Sequence, residues 1–487
     1  MRNIYIMACL IAVLTSCSDF LKEVSQDEFE PKTVTAYQEL LNGVGYGTTT
    51  TFDPITEVLT DDVEGCQGAS YYYNETNLAH LAVYSWQPDM YQSLADHKMT
   101  KLLESYQTFY KRIMTCNLVI EGLDDAEGTE EEKRQTMGEA LALRAHYFFY
   151  LVNMYAMPYN TPETTPDALP GVPLVKAAEI KDEGISRSSV AQVYAQICQD
   201  IEEACRLLDG NKALPVGVFR INYVAAHLLA SRVYLYMENW DKVIEHVNLA
   251  LAGAPALCDL NSYQLSNMDY PTQANNHFIS KDFPEVIFIN GGARANGIVT
   301  EGTLIRVSDD LLDLYDATND WRRSMFFQAN SYMYYKNWMA KYGRSEQEYV
   351  WRTAELYLNR AEAYAAKYAA GEAAYGQKAA EDLNALRQNR LKNFTPYTLT
   401  TAEDLMNFCH NERRLELCFE HHRWFDLRRY GMPSIRHAWI DNTGVRSIYT
   451  LQKKDPGYAL PIPQSALDLN VSLVQNQLSP KRVAEIE

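Results

Sequence analysis

One spacing pattern constrains the fold of this 487-residue chain more than any other feature. Ser231, Tyr234, Trp240, Val243, Val247, Ala250 and Pro255 alternate small, aromatic, bulky and small residues, and close on a proline. Two helices joined by a tight turn need this order: small residues let the backbones approach, aromatics fill the gap, and proline ends the second helix. Ala361 and Tyr364 begin a similar pair, continued by Ala380, Leu383 and Leu386, and Ala145 to Tyr155 reads as a third first helix. Helix pairs that recur at separate sites bury their faces by stacking on one another.

The pairs are similar to tetratricopeptide repeats, and helical periodicity continues around them. Leu102, Tyr106, Phe109, Ile113 and Leu118 predict an amphipathic helix within 92–122. Thr129 with Glu132, Ser189 with Gln192, and Thr400 with Glu403 form capping-box patterns. These open helices running to about Tyr155, to Leu208 before Gly210, and onward from Thr400. Short strands are expected at 286–290 and 458–463, and long connections at 156–186, 253–285 and 291–303. The fold class expected is mostly α: a tetratricopeptide-like helix-pair scaffold with long irregular loops and a few short strands.

Charge and cysteine content narrow the function. The chain carries 44 Lys+Arg against 63 Asp+Glu, a formal charge of −19, which argues against nucleic acid and against charge-driven binding to anionic membranes. Arg2, the apolar run Ile4 to Leu14 and the ending Leu14-Thr15-Ser16-Cys17 have the form of a bacterial lipoprotein signal. The run is too short to span a bilayer, so residues 1–16 are expected to be removed and Cys17 lipidated. Cys66, Cys116, Cys198, Cys205, Cys258, Cys409 and Cys418 include no Cys-x-x-Cys pair and read as small buried hydrophobes.

Further stretches, in their order along the chain, resemble the SusD/RagB family of surface lipoproteins. They are the lipobox with Ser18-Asp19-Phe20-Leu21; Phe109-Tyr110-x-x-Ile113-x-x-x-Asn117; Ala142-Leu143-Arg144-Ala145-x-Tyr147-Phe148; and Ala354-Glu355-Leu356-Tyr357-Leu358-x-Arg360-Ala361-Glu362-Ala363. Glu412-Arg413-Arg414-x-Glu416-Leu417-x-Phe419-Glu420, Arg423-Trp424-x-Asp426-Leu427 and Leu460-Pro461-Ile462-Pro463-Gln464 complete the match. His421 departs from the family's usual glycine, and Gln475-Asn476-Gln477 from its usual Pro-Gly-Tyr. The resemblance implies one SusD-like domain over 17–487, with ligand-binding segments at about 57–92 and 253–345. It implies a lipid-anchored protein on the outer-membrane surface that captures an oligosaccharide or polysaccharide for a SusC-like TonB-dependent transporter. No catalysis and no cofactor are expected. The same architecture carrying peptides, a lipid-anchored glycoside hydrolase, and a scaffold without small ligand are the alternatives.

Catalytic and metal motifs are sparse. Gly-x-Ser-x-Gly, His-Glu-x-x-His and Gly-x-x-x-x-Gly-Lys are absent, and Gly43-Val44-Gly45-Tyr46-Gly47 completes no phosphate loop. A hydrolase would need two carboxylates, for which Asp61, Asp62 and Glu64, or Asp316 and Asp320, offer pairs. Glu412, Glu416 and Glu420 repeat every four residues, as on one helix face, near Arg413, Arg414, Arg423, Arg428 and Arg429. They are expected to form a carboxylate–guanidinium network that locks the last helices to the body. His421-His422 lacks a third metal ligand, and Asp313, Asp316, Asn319 and Asp320 lack the glycine and glutamate of a calcium loop.

Sugars stack their C–H faces on aromatic rings, and 34 tyrosines provide candidates. Tyr71-Tyr72-Tyr73-Asn74, followed by Trp86 and Tyr91, leads: three adjacent tyrosines cannot all face inward. Trp86 serves either as ligand platform or as an anchor of its loop to the core. Arg294 and Asn296, after the 286–290 strand, form a second candidate. Tyr332, with Tyr334, Tyr335 and Trp338, is a third, although the alternation also fits a half-buried strand, and Trp321 reads as packing.

Overall fold

The computed structural model describes residues 31–46, 55–68, 70–99, 105–178, 184–212, 216–262, 281–293, 304–329, 337–339 and 347–487. Cys17, Arg294, Asn296 and Tyr332 lie outside the described residues. The helices of seven or more residues are α1 (Val34–Leu40), α2 (Glu75–Tyr84), α3 (Met90–Asp96), α4 (Ser105–Gly122), α5 (Glu130–Tyr155) and α6 (Val190–Asp209). They continue with α7 (Tyr223–Tyr236), α8 (Trp240–Leu251), α9 (Thr353–Ala369), α10 (Ala374–Arg387), α11 (Ala402–Leu417) and α12 (Arg423–Arg429).

Helices α4 to α10 pack in succession, each on the next, and α11 closes on α9 and α10. The three helix pairs are α5/α6, α7/α8 and α9/α10, as the repeats predict. Both halves of the capping boxes form at Thr129/Glu132 and Ser189/Gln192. The third cap is Thr401, not Thr400: its Oγ1 accepts from the Asp404 amide, which starts α11 at Ala402. Close approach relies on small residues, as expected. A Cβ on Gly138 of α5 would lie 2.7 Å from Leu208 Cγ of α6.

Buried ion pairs stitch the stack together. Arg144 of α5 makes a two-pronged contact with Asp200 of α6 at 2.8 and 2.7 Å, and donates to Asn117 of α4 at 2.9 Å. Arg232 of α7 pairs with Glu355 of α9, and Arg360 of α9 with Asp382 of α10. Glu362 of α9 holds Arg429 of α12, which also pairs with Asp426. The motif residues that carried the family resemblance are thus largely fasteners between helices.

The strands are short. β1 (Val63–Gly65) pairs antiparallel with β3 (Ile305–Val307), and β2 (Val286–Ala293) with β6 (Gln347–Arg352) through two irregularities. β4 (Phe327–Ala329) pairs with β5 (Asn337–Met339), and β7 (Ile435–Ile440), β8 (Arg446–Leu451) and β9 (Glu485–Ile486) form a small sheet. The strand expected at 458–463 does not form. Pro461 and Pro463 lack the N–H a ladder needs, and the segment is held by Leu460 N donating to Met154 O and Ile462 N donating to Gln475 Oε1. The helix expected over 92–122 is split, with α3 ending at Asp96 and Lys98 taking a positive φ of 59°.

The acidic network forms, with a change of partners. Glu420 lies past the end of α11, so Glu412, Glu416 and Glu420 do not share one helix face. The turn beyond α11 runs through positive φ at Phe419 (57°) and His421 (61°). Glycine reaches that region without strain, which explains the family's preference at 421. The guanidiniums that meet these three acids are Arg322, Arg352, Arg387 and Arg390, brought in from distant segments.

Candidate ligand-binding face

The aromatic segment starts from a short turn and ends in a helix cap. Ser70–Tyr72 form one 3-10 turn. Asn74 then caps α2 by accepting from the Asn77 amide at 3.0 Å, and the Asn77 side chain donates back to Tyr72 O at 2.8 Å. Tyr73 pins the turn from beneath: its hydroxyl contacts Ile440 O and Asp441 O, at the end of β7, at 3.1 and 3.0 Å. A backbone held at both ends presents its remaining side chains in a fixed pose.

Tyr71 is 57% exposed, and its ring lies 4.2 Å from that of half-buried Tyr72, tilted by 45°. The pair forms a step of two tyrosine rings, each a side chain that combines a carbon face with a polar tip. Asn74 is also exposed, although its side-chain oxygen is committed to the cap. Tyr71, Tyr72, Tyr73 and Asn74 are therefore brought together, and of the three tyrosines Tyr71 is the one exposed to solvent.

Trp86 and Tyr91 are corrections. Trp86 is only 1% exposed, and its indole donates to Leu59 O at 3.0 Å. The ring stacks 4.1 Å from His437 of β7, whose other face meets Tyr84 at 4.2 Å. It anchors the 57–92 segment to the small sheet and offers no face to a ligand. Tyr91 packs in the hydrophobic core on α3. Trp321 is half-buried, with its indole donating to Asn261 and Lys392 over its ring.

The carboxylate pairs are also committed. Asp61 pairs with Arg423 at 2.7 Å, and Asp62 with Arg414 at 2.6 Å. At Asp61 burial pushes the pKa up, but Arg423 and Arg414 outweigh it and leave it lowered. At Asp62 burial wins and the pKa is raised, with the Asp61 charge adding to it. Acids pushed apart in this way can mark an acid/base couple, but Asp62 is fully buried and both are clamped by arginine. Asp316 ties down its own turn through Thr318 and Asn319, and Asp320 binds Arg322, so neither holds a free oxygen set for calcium. His422 is buried and accepts from Arg413 at 3.3 Å.

An apolar hollow of about 300 Å³ lies elsewhere, between Tyr106, Tyr110, Val175, Ile185, Leu469 and Leu473. Sugar hydroxyls require paired polar groups in the wall, and this lining is predominantly apolar.

Comparison with known proteins follows the same architecture. A family profile described as "Starch-binding associating with outer membrane" matches residues 19–235, and one described as "SusD family" matches residues 270–478. The SusD-like protein P25 of Formosa agariphila is 21% identical, with 98% of each chain covered. The crystal structure of a SusD superfamily protein from Bacteroides thetaiotaomicron aligns with a TM-score of 0.68 at 23% identity, over 91% of this chain and 100% of the other. A laminarin-binding SusD-like protein aligns with a TM-score of 0.61 at 20% identity, over 92% of this chain and 99% of the other. With SusD-family profiles matched over both halves of its length, this chain belongs to the SusD/RagB family.

Proposed function

We propose that residues 17–487 act as a single ligand-binding unit on the cell surface, anchored in the outer membrane through lipid on Cys17. The unit binds an extracellular oligosaccharide or polysaccharide and hands it to a SusC-like TonB-dependent transporter, without acting on it chemically. The Tyr71–Tyr72 step, with Tyr71 exposed, carries the reading: an aromatic surface on a family scaffold. The starch-binding description of one profile and the laminarin-binding relative support a glucan as the first ligand to test. A core running from Val34 to Leu473 supports the single unit.

Calorimetric titration of the chain lacking residues 1–17 with maltooligosaccharides and laminarin tests the site. One stacking aromatic contributes about 0.5–1.5 kcal/mol, so Tyr71→Ala is expected to weaken binding by about 2- to 12-fold. The double Tyr71→Ala/Tyr72→Ala change is expected to weaken it further, with the melting temperature nearly unchanged. Unaltered affinity in the double variant would remove this face from the proposal. Heat from peptides alone would replace the glycan with a peptide ligand. For the anchor, labelled palmitate is expected to appear on the wild-type protein and vanish in Cys17→Ala; equal labelling would dismiss Cys17 as the attachment point.

A further inference from the structure

Helices α6, α7 and α8 bring Cys205, His227 and His246 to one buried point, where a sulfur and a nitrogen of each ring lie within 4.8 Å of one another. The two histidines meet through like atoms, Nδ1 to Nδ1, at 2.9 Å. Their outer nitrogens both face carboxylates. His227 Nε2 lies 3.3 Å from Asp209, and His246 Nε2 lies 3.3 Å from Glu202.

These contacts conflict unless something else sits between the rings. An ionised carboxylate only accepts, so each Nε2 must carry the ring N–H. Both Nδ1 atoms then present lone pairs to each other at hydrogen-bond distance, and a cation is needed to bridge them. A shared proton would satisfy two nitrogens. It would not use the Cys205 sulfur, the third soft donor at the same place. Imidazole and thiolate together form a ligand set for zinc, and a carboxylate on the far nitrogen of each histidine is the usual second layer of such sites.

We propose that Cys205, His227 and His246 bind one Zn²⁺ that fastens α6 to the α7/α8 pair. At Zn–N distances of about 2.0–2.1 Å, the two nitrogens need to part by only a few tenths of an ångström. Charge is prepared for it. Glu202, Glu245 and Asp209 surround the point with Lys242 and Lys212, one negative charge in excess, which offsets the zinc–thiolate unit. Glu202 and Asp209 are about a third exposed, so the ion enters between them. Tyr234 steadies this gate by donating to Glu202 at 2.7 Å and stacking on His246. Binding adds a metal link among three helices that the apo chain holds by packing and by the Tyr234 and Lys242 contacts to Glu202, so it raises stability.

The test uses the tag-free mature chain after chelator treatment, titrated with zinc and separately with Co²⁺. One Zn²⁺ per chain, a higher melting temperature with zinc, and a thiolate-to-cobalt charge-transfer band are expected. Cys205→Ala should abolish that band, and Glu202→Gln should weaken zinc by about 10- to 100-fold while keeping it. A cobalt spectrum without the thiolate band in the wild-type chain, or the same zinc affinity in Cys205→Ala, would overturn the proposal by placing the metal elsewhere. Absence of stoichiometric binding would overturn it in favour of a shared proton. The wild-type cobalt spectrum decides the question even if Cys205→Ala does not fold.

Discussion

Arg352→Met is expected to destabilise the fold by about 3–5 kcal/mol, the range for breaking a buried ion pair from one side. Arg352 ends β6 and stands before α9, where the strands meet the helical stack. Its guanidinium bonds both oxygens of Glu420 at 2.9 and 2.7 Å, and reaches Glu416 at 2.8 Å and Glu285 at 3.2 Å. Arg390 shares Glu416 and Glu285, and Arg322 shares Glu416 with Asp320 and Glu412. Burial alone would raise the pKa of Glu416, but Arg390, Arg352 and Arg322 outweigh it and hold it well below the usual carboxylate range. Methionine fills the space of the arginine stem and removes its charge, leaving Glu420 and Glu416 buried with less positive charge to face. The double variant Arg352→Met/Glu420→Gln should recover about 0.5–3 kcal/mol of the loss, because the two residues act on one contact. Urea unfolding followed by tryptophan fluorescence measures Arg352→Met, Glu420→Gln and the double variant. A loss under about 1 kcal/mol for Arg352→Met, or strictly additive effects in the double variant, would show that the network contributes little to stability.

The same network shows what a sequence can reveal and what it hides. Helix starts are local events: Thr129 needs only Glu132, three residues on, and the spacing announces it. The one-residue error at Thr400 arose because Thr401 and Asp404 offer the same chemistry one step later. Helix pairing was legible in the small residues of α7 and α9, since close approach admits few side chains. The acidic triplet was legible as a structural lock, whereas its partners were not. Arg322, Arg352 and Arg390 arrive from distant segments, and no spacing connects them to Glu416. Trp86 was ambiguous for the same reason. Its partner His437 lies hundreds of residues away, and only the fold decides between an exposed platform and an anchor. The Cys205, His227 and His246 cluster left no mark in the sequence, because a site built across three helices needs no fixed spacing.

Mild acid is expected to destabilise this protein through its buried histidines, before the arginine-paired carboxylates titrate. His80, His146 and His422 are buried, and burial is the largest influence lowering each pKa. His80 is pulled down to about 4. His146 and His422 lie well below their ordinary value, with Arg232 and other guanidiniums adding to the effect. His437 is set aside: burial lowers its pKa to about 4, yet both its nitrogens meet carbonyl oxygens, at 2.7 and 2.8 Å, which favours a protonated ring. In the unfolded chain each of the other three rings takes up a proton near pH 6.5, while in the folded chain it stays neutral to a much lower pH. Unfolding therefore binds protons below pH 6.5, so the stability present above that pH is lost as pH falls. One pH unit below, each ring costs about 1.4 kcal/mol, or about 4 kcal/mol for the three. Only below about pH 4.5 do Glu416 and Glu362 add to the loss, because arginines hold their folded pKa values well under the unfolded one against the opposing effect of burial. Urea midpoints at pH 7.5 and pH 5.5, at constant ionic strength, measure the difference. His80→Gln should remove about a third of it, since glutamine does not titrate. Equal midpoints at the two pH values would mean that these rings are already charged in the fold, with acceptors arranged around them as carbonyls are around His437.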